Sequence, residues 1–220
     1  MTPADREHYA TNGYVVLRGV VDDATFAPLE LAFTECEHQF SEQPMYSAGM
    51  ARFLGMSPTK QRALYEAMRD RPELANFDSE KNTLRWIVRD LTDTPVYRVA
   101  MRAPRFRMDL PHDTRYLAVW HQDHAYVGGS TDTVTAWVPL QDTPWEMGPL
   151  LVSPDRTLIE RVHSPGPNGR KVCWPGNRNI VGVPMRRGDV LLFHSLLLHS
   201  GQVNLSDRVR YSIQVRYEPL

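Results

Sequence analysis

The feature that most constrains the fold is a series of short strand-like segments after residue 83. Runs rich in β-branched and aromatic residues alternate there with turns containing glycine, proline, asparagine or aspartate. The expected strands span about 84–90, 96–102, 105–109, 116–123, 132–139, 149–152, 180–183, 190–199 and 209–217. Many short strands at this spacing are typical of a sandwich or barrel of the jelly-roll kind. We therefore predict a mainly β core over residues 83–220.

The first 80 residues have a different sequence pattern, with helix-capping residues and apolar residues at helical spacing. This pattern predicts a mostly helical part. A short helix is expected over 3–11, closed by Asn12-Gly13 and followed by a strand over 14–17. A later helix begins at Ser57-Pro58, a pair typical of an N-cap followed by the first helical position, and ends near Arg69.

Between them, Asp22 or Asp23 is a good N-cap for another helix. Apolar residues recur along this helix at helical spacing and form one stripe: Phe26, Leu29, Phe33, Cys36 and Phe40. Such a stripe is typical of a helix that packs on a sheet. The chain thus reads as one domain over 1–220, with helices over 1–80 packed on one sheet of the β core.

Composition excludes several classes of function. The 220 residues include 25 basic and 26 acidic residues, so net charge gives no reason to expect nucleic acid or an anionic membrane as partner. No apolar run approaches the roughly 18 residues that a membrane helix requires. The two cysteines do not suggest a disulfide framework, and the first residues lack the apolar stretch of a signal peptide. We therefore expect a cytoplasmic protein.

A long segment over 155–179 contains three prolines and three glycines and interrupts the series of strands. Loops of this length within a compact domain are usually functional or disordered. We expect it to act as a lid or substrate loop; the alternative is a plain surface excursion.

The motif His121-Gln122-Asp123 places two potential metal ligands two positions apart. In the strand expected over 116–123, His121 and Asp123 would point to the same face. A carboxylate beside a histidine, with one more histidine from elsewhere, forms the 2-His-1-carboxylate site of non-haem Fe(II) oxygenases. A lone His-x-Asp motif is weak, so the prediction depends on residues later in the chain.

Two histidines in the expected strand 190–199 compete for the place of the third ligand. His194 lies in mid-strand and His199 at its end, and five positions apart they would point to opposite faces. Ligand residues gather at strand ends and loops, which favours His199. The alternative role for His194 is a buried, hydrogen-bonded histidine.

The segment 209–217 follows a turn and alternates polar with apolar residues. Four polar side chains would share one face: Arg210, Ser212, Gln214 and Arg216. Such a face is either solvated or lines a polar pocket. A guanidinium binds a carboxylate bidentately and keeps its charge when buried, so Arg210 would suit a dicarboxylate cosubstrate. Arg208, on the same face but nearer the turn, is the rival.

Segments along nearly the whole chain carry a family resemblance. They are residues 9–20, Trp120-His121-Gln122-Asp123, residues 135–142, residues 188–194, and His199-Ser200-Gly201 with Asn204. Together they resemble the phytanoyl-CoA dioxygenase family of Fe(II)/2-oxoglutarate-dependent oxygenases. The chain departs from the family pattern over 152–157, where Pro-Gly-Ser-His is usual.

The resemblance implies a double-stranded β-helix (jelly-roll, cupin-like) core and an iron centre with O2 as oxidant. His121, Asp123 and His199 would be the metal ligands and catalytic residues. Arg210, in the position of the family's clamp, would bind 2-oxoglutarate, which resolves both choices left open above. The presence of Asp123 disfavours the related halogenases, which bind chloride in its place.

Further site residues follow from the same resemblance. Trp137 and Ser212 would line the cosubstrate pocket. Arg107, in the expected strand 105–109, would face the cosubstrate or the substrate, with solvent as the alternative. His124 and Tyr126 are candidate substrate residues, because they follow the ligand motif directly.

The expected activity is hydroxylation of a small-molecule metabolite or natural-product intermediate, with release of succinate and CO2. Desaturation, epimerisation or ring formation at the same iron is the alternative, and a non-catalytic cupin-like metal-binding or sensor protein is a third. A dicarboxylate clamp distinguishes the enzyme from the sensor. We expect a monomer or homodimer.

Overall fold

The computed structural model describes residues 1–39, 57–77, 83–94, 97–99 and 104–220. Its α-helices are α1 (Pro3–Asn12), α2 (Asp23–His38), α3 (Pro58–Arg69), α4 (Pro72–Asn76), α5 (Thr83–Thr92) and α6 (His124–Val127). Its strands are β1 (Tyr14–Leu17), β2 (Tyr97–Val99), β3 (Arg105–Asp109), β4 (Val134–Pro139), β5 (Leu150–Ser153), β6 (Ser164–Pro165), β7 (Lys171–Val172), β8 (Val181–Val183), β9 (Val190–His194), β10 (Leu198–Ser200) and β11 (Arg210–Pro219). Among these described helices, none has the length and apolar character needed to cross a membrane.

The helix boundaries expected in the first part of the chain are confirmed by their caps. The side chain of Asp22 accepts a hydrogen bond from the backbone of Thr25, and Ser57 caps α3 in the same way. Gly13 ends α1 with a φ of 77°, a left-handed conformation that glycine adopts without strain. Phe40 and the segment 41–56 lie outside the described residues.

Two antiparallel sheets form the core. The larger has the order β1-β9-β4-β11-β2, with β3 also paired to β11, and the smaller has the order β10-β5-β8. Strands β6 and β7 form a separate two-stranded hairpin within the segment 155–179. The two facing sheets are those of a jelly roll, so the predicted fold class is confirmed.

The larger sheet has two different faces. One carries apolar side chains such as Ile213 and Val215, which pack with Phe26, Leu29 and Phe33 of α2 in the main core. The other faces the smaller sheet across a second apolar cluster and carries the polar residues of β3 and β11. The helices therefore cover one face of the sheet, and the polar site is left between the two sheets.

The segment 84–90 is helical, so the strand expected there is wrong. Leu84, Val88 and Leu91 are buried at helical spacing on α5 and join the main core. The β-branched residues of this segment had suggested a strand, but the packing of one apolar face against the core favours the helix.

Two other expected strands have different local structures. Over 116–123 only His121 forms a bridge, opposite His199, and the chain turns into α6 at Asp123. The expected strand 190–199 is divided into β9 in the larger sheet and β10 in the smaller one. The chain crosses between the sheets in the turn that separates these strands, which places the two histidines of this segment in different sheets.

Candidate metal and cosubstrate site

Three side chains meet between the two sheets. Potential ligand atoms of His121, Asp123 and His199 all lie within 4.8 Å of one another, and the three residues are buried. Asp123 Oδ1 lies 3.5 Å from His121 Nε2 and 3.8 Å from His199 Nε2. The two histidines are held together by their backbones, each N–H donating to the other's carbonyl at 3.0 Å.

The orientation of both imidazole rings leaves Nε2 available as a ligand atom. His121 Nδ1 lies 2.6 Å from the carbonyl of Val119, and His199 Nδ1 lies 3.1 Å from that of Leu197. Because a carbonyl can only accept, Nδ1 carries a proton in each ring, and in a neutral ring the lone pair is then on Nε2. Burial, together with the neighbouring His121, lowers the pKa of His199 to about 3, so this ring is neutral at pH 7.

Asp123 is held ionised by a buried arginine. Arg216 donates from Nε to Oδ2 at 3.0 Å and from Nη2 to Oδ1 at 3.1 Å, and the hydroxyl of Thr135 donates to Oδ2 at 2.7 Å. Burial alone would raise the pKa of Asp123, but Arg216 and the adjacent histidines lower it well below its ordinary value. A charged carboxylate with two imidazoles is a donor set that fits a divalent iron ion.

His194 lies away from this cluster. Its Nε2 is 3.7 Å from Asp132 Oδ1, and its Nδ1 accepts from the backbone of Leu196 at 3.1 Å. It therefore has the environment of a hydrogen-bonded structural histidine, and the structure brings His199 to Asp123 instead.

Arg210 lies deep in the same site and is only 2% exposed. Its Nη2 is 2.8 Å from Asp109 Oδ2, while Nε and Nη1 have no hydrogen-bond partner among the described residues. The hydroxyl of Ser212, on the same face of β11, is likewise buried without a partner in that part of the chain. Unpaired buried donors are costly, so these atoms indicate the place of a ligand with acceptor oxygens.

A cavity of about 460 Å³ connects these residues, a size typical of small-molecule sites. Its wall includes the three candidate ligands, Arg105, Arg107, Tyr116, Ala118, Val119, Tyr126, Val127, Trp137, Leu150, Arg170, Gly201, Arg210, Gln214 and Arg216. Arg208 and Ser212 are not among the residues that line it, although Ser212 lies between Arg210 and Gln214 on β11.

Of the other expected site residues, Arg107 and Tyr126 line the cavity and His124 does not. Arg107 lines the cavity and donates to Asp109 Oδ1 at 2.7 Å and to the carbonyl of Tyr116 at 3.1 Å. The ring of Tyr126 meets that of His121 edge to face, with centroids 5.1 Å apart. His124 instead lines a separate pocket, where its Nε2 lies 3.8 Å from Glu160 Oε1, so it is not brought to the site.

The segment 155–179 is anchored to the ligand motif. The buried side chain of Gln122 donates to the carbonyls of Ile159 and Leu196 at 2.8 and 2.6 Å, and accepts from the backbone of Arg161 at 2.8 Å. Tyr126 Oη both accepts from and donates to the backbone of Lys171. This segment thereby brings Arg170 into the cavity wall.

Three arginines of the site were not assigned a role from the sequence. Arg216 was placed on the correct face of β11, but nothing in the pattern indicated its bond to Asp123. Arg105 alternates with Arg107 on β3 and could have been found by the same two-residue spacing. Arg170 lies on the 155–179 segment, where no periodicity indicates which side chain points inward.

The chain is similar to known proteins over nearly its whole length. A family model described as phytanoyl-CoA dioxygenase matches residues 9–212. The 1-deoxypentalenic acid 11-beta-hydroxylase of Streptomyces arenae is 27% identical in an alignment 232 residues long, which covers 96% of this chain and 79% of the hydroxylase.

Solved structures show the same fold at lower identity. The non-heme alpha ketoglutarate dependent carbocyclase SnoK from nogalamycin biosynthesis superposes with a TM-score of 0.69 at 22% identity, covering 99% of this chain and 83% of SnoK. The epimerase SnoN, solved in complex with Fe3+, alpha ketoglutarate and nogalamycin RO, gives 0.64 at 21% identity, covering 98% and 82%.

Proposed function

Since the chain belongs to the phytanoyl-CoA dioxygenase family, it is a non-haem Fe(II)/2-oxoglutarate-dependent dioxygenase, and we propose that it hydroxylates a small molecule. The observation that carries this proposal is the buried cluster of His121, Asp123 and His199, whose ligand atoms lie within 4.8 Å of one another beside the cavity. In the proposed reaction a substrate C–H bond, O2 and 2-oxoglutarate become C–OH, succinate and CO2.

The roles of the protein residues follow from their contacts. His121 and His199 would hold the iron through Nε2, and Asp123 through a carboxylate oxygen that Arg216 and Thr135 orient. When bound, the iron and 2-oxoglutarate supply the oxidising chemistry. The buried cluster keeps its ligands in place and limits the access of water.

The cosubstrate would lie along β11. Nε and Nη1 of Arg210, which have no partner among the described residues, would donate to the distal carboxylate of 2-oxoglutarate, and the hydroxyl of Ser212 would donate beside them. Trp137 contributes a flat apolar wall to the cavity. Asp109 holds Arg210 from behind, so the guanidinium is oriented before the cosubstrate arrives.

Hydroxylation is favoured over the alternatives because the similar Streptomyces arenae protein is named as a hydroxylase. The carbocyclase SnoK and the epimerase SnoN share the fold, so ring formation or epimerisation is the second candidate. A non-catalytic sensor would not require the unpaired donors of Arg210. We further propose a cytoplasmic monomer or homodimer.

Anaerobic titration tests the iron and cosubstrate site. Protein with Fe(II) should develop a weak visible charge-transfer band when 2-oxoglutarate is added. His199→Ala should abolish it, whereas the matched control His194→Ala should retain it, because His194 lies away from the cluster. A normal band in His199→Ala, or none in wild-type protein with iron demonstrably bound, would contradict the proposal.

The cosubstrate assignment has its own matched pair. Arg210→Ala should weaken 2-oxoglutarate binding by about 10- to 100-fold, as expected for the loss of charge-assisted hydrogen bonds. Arg208→Ala should not weaken it, because Arg208 does not line the cavity. Calorimetric titration of the Fe(II) protein measures both. Equal affinities in the two variants would show that the carboxylate is held elsewhere.

A further inference from the structure

The cavity wall has a strong excess of positive charge. Five arginines line it, at positions 105, 107, 170, 210 and 216, whereas Asp123 is the one carboxylate among the described lining residues. Asp109, behind the wall, pairs with Arg107 and Arg210, and Asp123 pairs with Arg216. The site therefore carries three positive charges beyond its own carboxylates.

The proposed iron and cosubstrate do not remove this excess. Bound Fe(II) would add two positive charges and 2-oxoglutarate two negative ones, so the net excess of three would remain. The distal carboxylate of the cosubstrate completes the group formed by Arg107, Arg210 and Asp109. Among the described residues this leaves Arg105 and Arg170 without an ion-pair partner.

The contacts of these two arginines agree with that result. Within the described residues, Arg105 forms no ion pair. The bond that Arg170 makes there goes from Nη2 to the neutral carbonyl of Arg115 at 3.0 Å. Arg105 is exposed and Arg170 is partly buried. The loss of hydration, together with the positive charge of nearby arginines, lowers the pKa of both guanidinium groups. The neighbouring arginines are Arg216 and Arg107 for Arg105, and Arg107 for Arg170. An anion bound beside these guanidinium groups would offset the repulsion from the neighbouring arginines.

Their placement is that of a substrate subsite. Arg105 lies on β3 opposite Gln214 of β11. Arg216, which pairs with Asp123, is two residues further along β11, so Arg105 lies close to this candidate iron ligand. Arg170 approaches from the segment 155–179, which Tyr126 fixes beside His121. Both guanidinium groups line the cavity that contains the metal ligands, and Arg107, which pairs with Asp109, is a charged neighbour of each.

The rest of this wall is largely apolar. Its side chains include Ala118, Val119, Val127, Leu150 and the rings of Tyr116 and Tyr126. A cavity that combines apolar side chains with several placed charges is suited to a ligand with a hydrocarbon body and a charged group.

Building on the proposed function, we propose that Arg105 and Arg170 bind the carboxylate of the primary substrate, so that the substrate is a small organic acid with an apolar body. Guanidinium groups bind carboxylates with directed hydrogen bonds, and this fixes which part of the apolar body faces the metal. The pair would therefore act in positioning the substrate as well as in affinity.

The test compares acids with their esters on the anaerobic Fe(II) protein saturated with 2-oxoglutarate. The probes are 1-deoxypentalenic acid, decanoic acid and 1-naphthoic acid, each beside its methyl ester, and binding is measured by calorimetry. We expect at least one acid to bind about tenfold or more tightly than its ester, as is typical when a charged hydrogen bond is lost. Arg105→Gln and Arg170→Gln should each reduce this preference, and the double variant should remove it.

Control variants make the result specific. Arg156→Gln removes an exposed arginine outside the cavity and should leave the preference unchanged. Arg105→Lys keeps the charge and should retain part of the preference. Unchanged 2-oxoglutarate affinity in both glutamine variants shows that they are folded and that the arginines do not hold the cosubstrate.

Three results would overturn the substrate assignment while leaving the proposed function intact. In the first, the acids bind the wild-type protein no more tightly than their esters do. In the second, the preference for acids persists in the double variant. In the third, the glutamine variants lose as much affinity for 2-oxoglutarate as they lose for the acid. Failure of the wild-type protein to bind Fe(II) and 2-oxoglutarate would instead contradict the proposed function itself.

Discussion

Arg216 and Asp123 form a buried bidentate ion pair across the site, with nitrogen–oxygen distances of 3.0 and 3.1 Å. The pair joins the large sheet to the segment that carries the candidate ligands, since Arg216 is on β11 and Asp123 begins α6. A carboxylate this deep would favour its neutral form without a partner. Arg216 therefore keeps Asp123 charged, and oriented, in the absence of a metal.

Replacing Arg216 with glutamine should destabilise the metal-free protein by about 3–5 kcal/mol, the usual cost of leaving one member of a buried ion pair alone. Bound Fe(II) should recover part of this loss, because the cation takes over the compensation of Asp123. Urea denaturation under anaerobic conditions, with and without Fe(II), measures both values. An equal loss in the two conditions would show that Arg216 does not act through Asp123.

The sequence predicted the candidate ligands better than the local structure that holds them. His121 and Asp123 were expected side by side on a strand. They do lie together, but through a single bridge at His121 and a turn at Asp123. His194 and His199 were expected on opposite faces of one strand, whereas they belong to two sheets. In each case the spacing in the sequence limited where the two side chains could lie, and the path of the folded chain decided their positions.

The ion pairs that the arginines of β11 form across the site could not be predicted from the sequence. Alternation along β11 correctly placed Arg210 and Arg216 on one face, because this period is a local property of extended backbone. The bonds of these arginines to Asp109 and Asp123 depend on which strands and turns lie opposite. The helix over 84–90 was missed for a related reason, since β-branched residues favour a strand locally but Leu84 and Val88 pack as one helical face.

The Asp109 carboxyl should make stability depend on acid pH. Burial alone would raise its pKa, but Arg107 and Arg210 lower it below the ordinary value of about 3.9. A carboxyl with a lowered folded-state pKa stabilises the protein above its unfolded pKa, and this contribution is lost as pH falls. The free energy of unfolding should therefore differ most between wild type and Asp109→Asn near pH 7, and the difference should narrow below about pH 5.

Denaturation curves at several pH values measure this difference. Asp207→Asn, which changes an exposed aspartate outside the cavity, is the control and should follow wild type. A gap between wild type and Asp109→Asn that stays constant down to about pH 3 would mean that the carboxyl does not titrate with folding.

Ser212→Ala should separate ligand binding from stability. The hydroxyl has no hydrogen-bond partner among the described residues, so its removal should leave the ligand-free protein equally stable or slightly more stable. Affinity for 2-oxoglutarate should fall by about 3- to 30-fold if the hydroxyl donates to the cosubstrate.

Ser206→Ala is the control variant for stability, because the Ser206 hydroxyl donates to Asn204 Oδ1 at 2.7 Å. Loss of this hydrogen bond should lower the free energy of unfolding by about 1 kcal/mol. Unchanged 2-oxoglutarate affinity in Ser212→Ala would remove Ser212 from the cosubstrate pocket.

Gln122→Ala should loosen the segment 155–179, because two of the three hydrogen bonds of this buried side chain go to Ile159 and Arg161 of that segment. Loss of all three, including the bond to Leu196, should cost on the order of 3 kcal/mol. Amide hydrogen exchange should become faster around 159–163, with Gln202→Ala as a control outside this network. Since the same segment carries Arg170, the preference for acids over esters should weaken in Gln122→Ala. Binding of 2-oxoglutarate should persist, because Arg210 is held by β11 and Asp109. Unchanged exchange over 159–163 would show that the segment is anchored by other contacts.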